Sequence, residues 1–230
     1  MKTTKKALLL VLCAVLLVAA SVLGTLAYLT ATSEVAKNTF TVGDVKITLD
    51  ELDEDQDEDN SDNVTVNGVT RDRANKYHLI PGKSYTKDPT VHVDSSSEKC
   101  YVRMQVTVTS YSNLKTAFPK ETASDYWNGD VFLLQKLVDW SNTAWEYKSV
   151  SIDQTANTAT YEFWYTSVAE PGTDLPALFE HIYVPENMSN TQIAALNDVE
   201  IDIVAHAIQT DGFESATKAW ENWPTAEGNS

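Results

Sequence analysis

The chain is predicted to be all-β, an antiparallel two-sheet sandwich with one or two short helices. Apolar residues recur with a period of two in several short runs, the mark of strands buried on one face. Turn signals separate these runs, among them Asn67-Gly68, Pro81-Gly82 and Pro89. The 230 residues are 43% apolar and 10% aromatic, which supplies a core and is too rich for a disordered chain. No internal repeat of fixed period is present.

Residues 1–27 stand apart from the rest. Lys2, Lys5 and Lys6 precede an uncharged run of 18 residues from Ala7 to Gly24, closed by Thr25-Leu26-Ala27. Basic residues, an apolar stretch and small residues before the junction describe an export signal cleaved between Ala27 and Tyr28. Eighteen residues is also the short limit of a membrane span, so an uncleaved anchor is the alternative reading. The membrane is then met only through this uncleaved signal segment. Val11 and Leu12 ahead of Cys13 do not make a lipidation box. Cleavage removes three lysines and no acid, which takes the net charge from −16 to −19. The expected location is outside the cell, secreted or at the cell surface.

The remainder divides into an N-terminal segment, 28–38, and a β domain, 39–230. Phe40–Leu49 alternates on either side of Gly43-Asp44 and reads as two strand halves joined by a bulge. Nine of the thirteen residues from Asp50 to Asp62 are acidic, so residues 50–63 are expected to form a solvated, mobile loop. Val64–Val66 and Val69-Thr70 flank Asn67-Gly68 as a tight hairpin. In Cys100–Thr109, Cys100, Val102, Met104, Val106 and Val108 face one way, and Tyr101, Arg103, Gln105, Thr107 and Thr109 the other. Val131–Val138, Trp145–Ile152 and Thr158–Thr166 continue the pattern, the last with Ala159, Tyr161, Phe163 and Tyr165 on one face. Val199, Ile201, Ile203, Ala205 and Ala207 alternate with Glu200, Asp202, Val204 and His206. Helices are predicted over 190–197, capped by Ser189 or Asn190, and over 215–222.

The residues that could carry chemistry are few. Acidity argues against a nucleic-acid partner, which is bound through Lys and Arg. Asp53, Asp55, Asp57 and Asp59 are weak candidates for Ca²⁺, since alternating carboxylates can converge on a hard cation. The EF-hand frame fails, however: counted from Asp55, the sixth position is Asn60 and the twelfth Val66. No other cofactor or metal is implied. His78, His92, His181 and His206 show no i, i+4 pairing, and no Gly-x-Ser-x-Gly elbow or phosphate loop is present, so no enzyme is predicted. His92 and His206 lie in strand patterns, facing outward or at the core edge. Cys100 reads as a buried, inert thiol. Trp140, Trp145, Tyr161, Trp164, Tyr165, Trp220 and Trp223 are read as core filling, with sugar stacking as the alternative.

Several strings together resemble a known family. Gly24-Thr25-Leu26-Ala27-Tyr28-Leu29-Thr30, followed by Asn38-Thr39-Phe40-Thr41-Val42-Gly43, is similar to the front of substrates of the SipW-type signal peptidase. These are the TasA/CalY (camelysin-like) biofilm matrix proteins of Gram-positive bacteria. Leu79-Ile80-Pro81-Gly82 with Lys87-Asp88-Pro89, Lys99-Cys100-Tyr101-Val102-Arg103 and Ala205-His206-Ala207-Ile208-Gln209 add to the resemblance. It implies a jelly-roll-like sandwich exported and assembled into fibres. It also implies that 28–38, freed by signal removal, is lent as a donor strand to the next subunit. Tyr28, Leu29 and Val35 would then be the apolar residues that fill the acceptor. The implied partners are other copies of the chain, the signal peptidase and an accessory matrix protein. Camelysin members carry a protease label, but the usual zinc-protease ligands are missing, so that activity is not carried over. A surface module binding glycan or host protein is the competing function. No sorting motif or second apolar span is read near Ser230, so covalent wall attachment is not expected.

Overall fold

Alternation in the sequence becomes strand in space wherever one face is apolar. The computed structural model describes residues 30–33, 45–52, 64–66, 69–72, 79–141 and 143–223. Strands β1 (Thr30–Ser33), β2 (Ile47–Leu52), β3 (Val64–Val66), β4 (Val69–Asp72), β5 (Ser84–Thr86), β6 (Thr90–Val93) and β7 (Cys100–Val108) come first. They are followed by β8 (Trp127–Asn128), β9 (Val131–Phe132), β10 (Trp145–Asp153), β11 (Thr158–Tyr165), β12 (His181–Tyr183) and β13 (Ile201–Gln209). Three helices, α1 (Asn113–Ala117), α2 (Asn190–Leu196) and α3 (Ala216–Glu221), complete the described elements.

A five-stranded sheet runs in the order β1-β13-β7-β11-β10, and a four-stranded sheet in the order β3-β4-β2-β6, all paired antiparallel. The chain is thus all-β with antiparallel sheets, and both sheets feed one core. Val102, Met104 and Val106 of β7, Tyr161 and Phe163 of β11, and Ile47, Leu49, Val91 and Val93 of β2 and β6 belong to it. The alternation in β7 is as predicted: Cys100, Val102, Met104, Val106 and Val108 are buried and the residues between them half-buried. The polar tips of Trp145 and Tyr161, buried in this core, find carbonyls, so the burial of these two leaves nothing unpaired. Trp145, fully buried, donates from Nε1 to the Pro176 carbonyl at 2.8 Å, and Tyr161 Oη donates to the Phe132 carbonyl at 2.8 Å. Cys100 is buried, and burial pushes its thiol up to about 12, which leaves it unreactive.

The two edges of the large sheet are treated differently. On β10 the register shifts between Tyr147 and Ser149, and Lys148 stands at the irregularity; a bulge and a lysine both discourage further pairing. The opposite edge, β13, is covered by β1.

Four expectations are corrected. Val131–Val138 is not one strand: β9 ends at Phe132, and Leu134–Lys136 is a turn of 3₁₀ helix. The buried residues Phe132, Leu134, Leu137 and Val138 do not alternate, and a 3₁₀ turn brings Leu134 and Leu137 to the same side. There are three helices among the described residues, not one or two; α1 is too short for its period to register. Asp50–Leu52 belongs to β2, with Asp50 only 3% exposed and Glu51 also buried, so the acidic stretch is not all solvated loop. His206 does not face outward to solvent: it is buried, with its ring against that of Trp223 just beyond α3. The first strand half, Phe40–Asp44, and His78 lie outside the described residues.

Both predicted helices form. Ser189 caps α2 with Gln192 in a reciprocal box: Gln192 N–H donates to Ser189 Oγ at 3.3 Å, and Ser189 N–H to Gln192 Oε1 at 2.9 Å. Gln192 Nε2 also reaches the Ala117 carbonyl at 3.0 Å, which ties α2 to the end of α1. Ser189→Ala is expected to lower folding stability by about 1 kcal/mol, measured by urea unfolding. No helix among the described residues is long and apolar enough to cross a membrane.

Candidate functional site

The edge of β13 is where the segment singled out by the sequence meets the fold. β13 is long because β7 pairs with it from Ile201 opposite Val108 to Gln209 opposite Cys100. On its other side β1 pairs antiparallel, Thr30 opposite Ile208, Ala31 opposite Ala207, Thr32 opposite His206 and Ser33 opposite Ala205. Among the described residues no strand continues that pairing over Ile201–Val204. Ile203, Ala205 and Ala207 turn into the core. Of the residues singled out beforehand, Ala27, Tyr28, Leu29 and Val35 lie outside the described residues, as do Asp53, Asp55, Asp57 and Asp59. Thr30–Ser33 is the described part of the 28–38 segment, and it occupies the edge of its own sheet.

The other face of β13 is closed by α3, a feature the strand pattern did not reveal. Ser215 caps this helix, accepting from Lys218 N–H, and Trp220 is buried against Ile208 and Trp164. Arg103 lies across both indoles, 4.6 Å from the Trp220 ring and 5.2 Å from the Trp223 ring. Its guanidinium also reaches Glu162 at 3.3 Å and donates to His206 Nδ1 at 3.4 Å. The His206 ring lies 4.9 Å from that of Trp223. Burial first, and then the Arg103 charge, hold His206 down to about 4, so it is neutral near pH 7. Trp220 Nε1 is buried without a hydrogen-bond partner among the described residues.

A second buried cluster binds the small sheet together. Arg71 of β4 donates from Nε to Asp50 of β2 and from Nη1 to Asp88 Oδ2 at 3.2 Å. Asp88 also accepts from Leu52 N–H at 2.6 Å, and Lys87 pairs with both oxygens of Glu51 at 2.7 and 2.9 Å. His92 sits between two carboxylates, Nε2 3.0 Å from Asp50 and Nδ1 2.6 Å from Asp174. Burial alone would lower the His92 pKa, but hydrogen bonds and attraction to Asp50 and Asp174 outweigh it and raise it. Only the imidazolium can donate to both carboxylates at once. The run of acids hid this: Asp50 and Glu51 look like the start of a solvated loop until Arg71 and Lys87 are brought to them.

Among the described residues, Asp139, Glu180 and His181 bring three candidate metal donors within 4.8 Å. Hydrogen bonding accounts for the positions of Asp139 and His181. Asp139 Oδ1 accepts the Glu180 and His181 N–H groups at 2.8 and 2.7 Å, and Oδ2 faces His181 Nδ1 at 2.7 Å and accepts from Tyr183 Oη at 3.2 Å. Although partial burial acts the other way, the His181 side chain and these N–H donors hold Asp139 below the usual carboxylate range.

Compared with models of protein families, with curated proteins and with solved structures, the chain finds no match in any of the three. The aromatic strip offered for sugar stacking is not a surface: Trp145, Tyr161 and Trp220 are buried and Trp140, Trp164, Tyr165 and Trp223 partly so. Among the described residues the exposed aromatics are Tyr147 and Tyr183.

Proposed function

We propose that this chain is a secreted structural subunit of extracellular matrix fibres, of the TasA/CalY kind, with its two sheets forming a jelly-roll-like sandwich. The observation that supports this is the seating of Thr30–Ser33 on the otherwise open edge of β13. A segment joined so closely to an export signal is held at the membrane until a SipW-type peptidase cuts between Ala27 and Tyr28. Once free, it forms the same main-chain hydrogen bonds on its own β13 or on that of a neighbour.

Exchange then favours whichever arrangement allows more pairing. Carried onward in the same register, the donated strand meets β13 with Val35 opposite Ile203 and Leu29 opposite Gln209. Both fall on the side of Ala31 and Ser33, opposite the core-facing Ala207 and Ala205. Donation is head-to-tail and does not close on itself, so it propagates a filament. At −19 per subunit, acid or divalent cations favour growth by reducing repulsion.

Protein beginning at Tyr28 is expected to form filaments visible by electron microscopy, whereas protein beginning at Thr39 stays monomeric. Val35→Asp in the longer protein is expected to reduce assembly while leaving the monomer folded. If the two lengths behave alike across concentration and pH, donor-strand assembly is wrong.

A further inference from the structure

We propose that the cleft beside β5 and β12 binds an acidic sugar, a uronate-type residue of a polysaccharide. The cleft encloses about 290 Å³, at the small end of ligand pockets and suited to one sugar residue. Its walls come from separate parts of the chain: Gly82–Ser84 entering β5, Tyr126, Lys136 of the 3₁₀ turn, and Tyr183–Glu186 leaving β12. Main-chain bonds lock two of these together, Gly82 N–H to the Val184 carbonyl and Val184 N–H to the Lys83 carbonyl, both 2.9 Å.

Apart from the Tyr183 hydroxyl, the side-chain polar groups lining this cleft are uncommitted. On a chain of net charge −16, lysines find acids readily. Among the described lysines and arginines, only Lys83, Lys115 and Lys136 make no side-chain hydrogen bond or ion pair. Two of those three line this one cleft. The Ser84 and Tyr126 hydroxyls and the Glu186 carboxylate are likewise without side-chain partners there. Two ammonium groups suit a carboxylate, and the hydroxyls and Glu186 suit the hydroxyls of a sugar ring. Tyr183, 45% exposed, offers an aromatic face, held in orientation by its hydrogen bond to Asp139. Tyr126 is held by stacking on Phe118 at 4.7 Å.

Glycine is required at the mouth. Gly82 has φ +77°, and a Cβ there would meet Glu186 Cγ at 3.0 Å. Phosphate is the poorer fit, because phosphate sites use free backbone N–H groups and those of Gly82 and Val184 are spent on the wall. None of the lining residues belongs to β1 or β13, so the cleft does not rest on the fibre reading.

The test is calorimetric titration of the whole secreted chain with a uronate oligosaccharide, a neutral oligosaccharide of equal length, acetate and inorganic phosphate. Saturable binding of the uronate oligosaccharide alone is expected. Lys83→Gln with Lys136→Gln should weaken it at least ~10-fold, since two charge-assisted hydrogen bonds are lost, without shifting the thermal midpoint. Tyr183→Ser should weaken it less. No saturable binding, equal binding of the neutral sugar, acetate or phosphate, or unchanged affinity in the double lysine variant would each overturn the proposal. Filament formation is read separately by microscopy, so a negative titration leaves the fibre proposal standing on its own test.

Discussion

Replacing Asp50 by alanine is expected to remove about 3–5 kcal/mol of folding stability, the range for breaking a buried ion pair from one side. Asp50 is almost fully buried, and its carboxylate serves Arg71 Nε and His92 Nε2 together. Without it, Arg71 keeps Asp88 and His92 keeps Asp174, but two cationic groups are left around an empty acceptor position. Asp50 lies on β2 and Arg71 on β4, so the damage falls on the docking of the β3–β4 hairpin. Urea unfolding should show a lower midpoint with an unchanged slope. In a double-mutant cycle with Arg71→Met, the combined loss should be well below the sum of the two. A loss under about 1 kcal/mol for Asp50→Ala would mean that apolar packing alone holds the hairpin.

Acid should act on the other sheet through His206. Its folded pKa of about 4 lies below the ordinary 6.5, because burial and Arg103 disfavour the charged ring. The stabilisation is complete above pH 6.5. As pH falls towards 4 the unfolded chain takes up a proton that the folded chain refuses. At ~1.4 kcal/mol per pH unit, the loss across that interval is about 3 kcal/mol. Glu162 opposes the shift, and Arg103, Glu162 and the Trp223 ring are the neighbours that face the imidazole. His206→Gln, which cannot charge, should flatten this part of the pH profile relative to the parent.

His92 works in the opposite sense and in a higher window. Its pKa is raised by Asp50 and Asp174, so its contribution is complete below pH 6.5 and fades as pH rises through the folded value. Arg71 shares the Asp50 Oδ1 acceptor with His92 and is itself neutralised by Asp50 and Asp88. His92→Gln should remove the alkaline decline and leave the acid one. Thermal midpoints measured from pH 4 to 8 for the parent and both variants separate the two histidines.

Much of the strand content was legible because alternation is local. Cys100–Val108 and Thr158–Tyr165 each carry a buried face that any partner sheet would have to cover, and both are strands. The Asn67-Gly68 turn implied the hairpin, and Val66 stands opposite Val69. The Ser189–Gln192 cap is equally local and formed as expected. Val131–Val138 failed because four buried residues in eight can satisfy either a strand or a turn. Which one forms depends on the shape of the space that Phe132 and Leu137 fill. The candidate sites were less legible. The lysines of the cleft lie 53 residues apart in sequence, and neither Lys83 nor Lys136 sits in a motif.

By itself, the sequence determined an acidic all-β chain with a core-rich composition and a leading apolar segment, because composition and period two act within a few residues. Tertiary structure decided which strands became edges, that β1 sits on β13, that Trp223 covers His206, and that Asp50 and Glu51 are buried with Arg71 and Lys87. The physical reason is that edge pairing uses main-chain hydrogen bonds, which Thr-Ala-Thr-Ser offers no more visibly than any other tetrapeptide. Burial of a charge likewise depends on a counter-charge arriving from far along the chain.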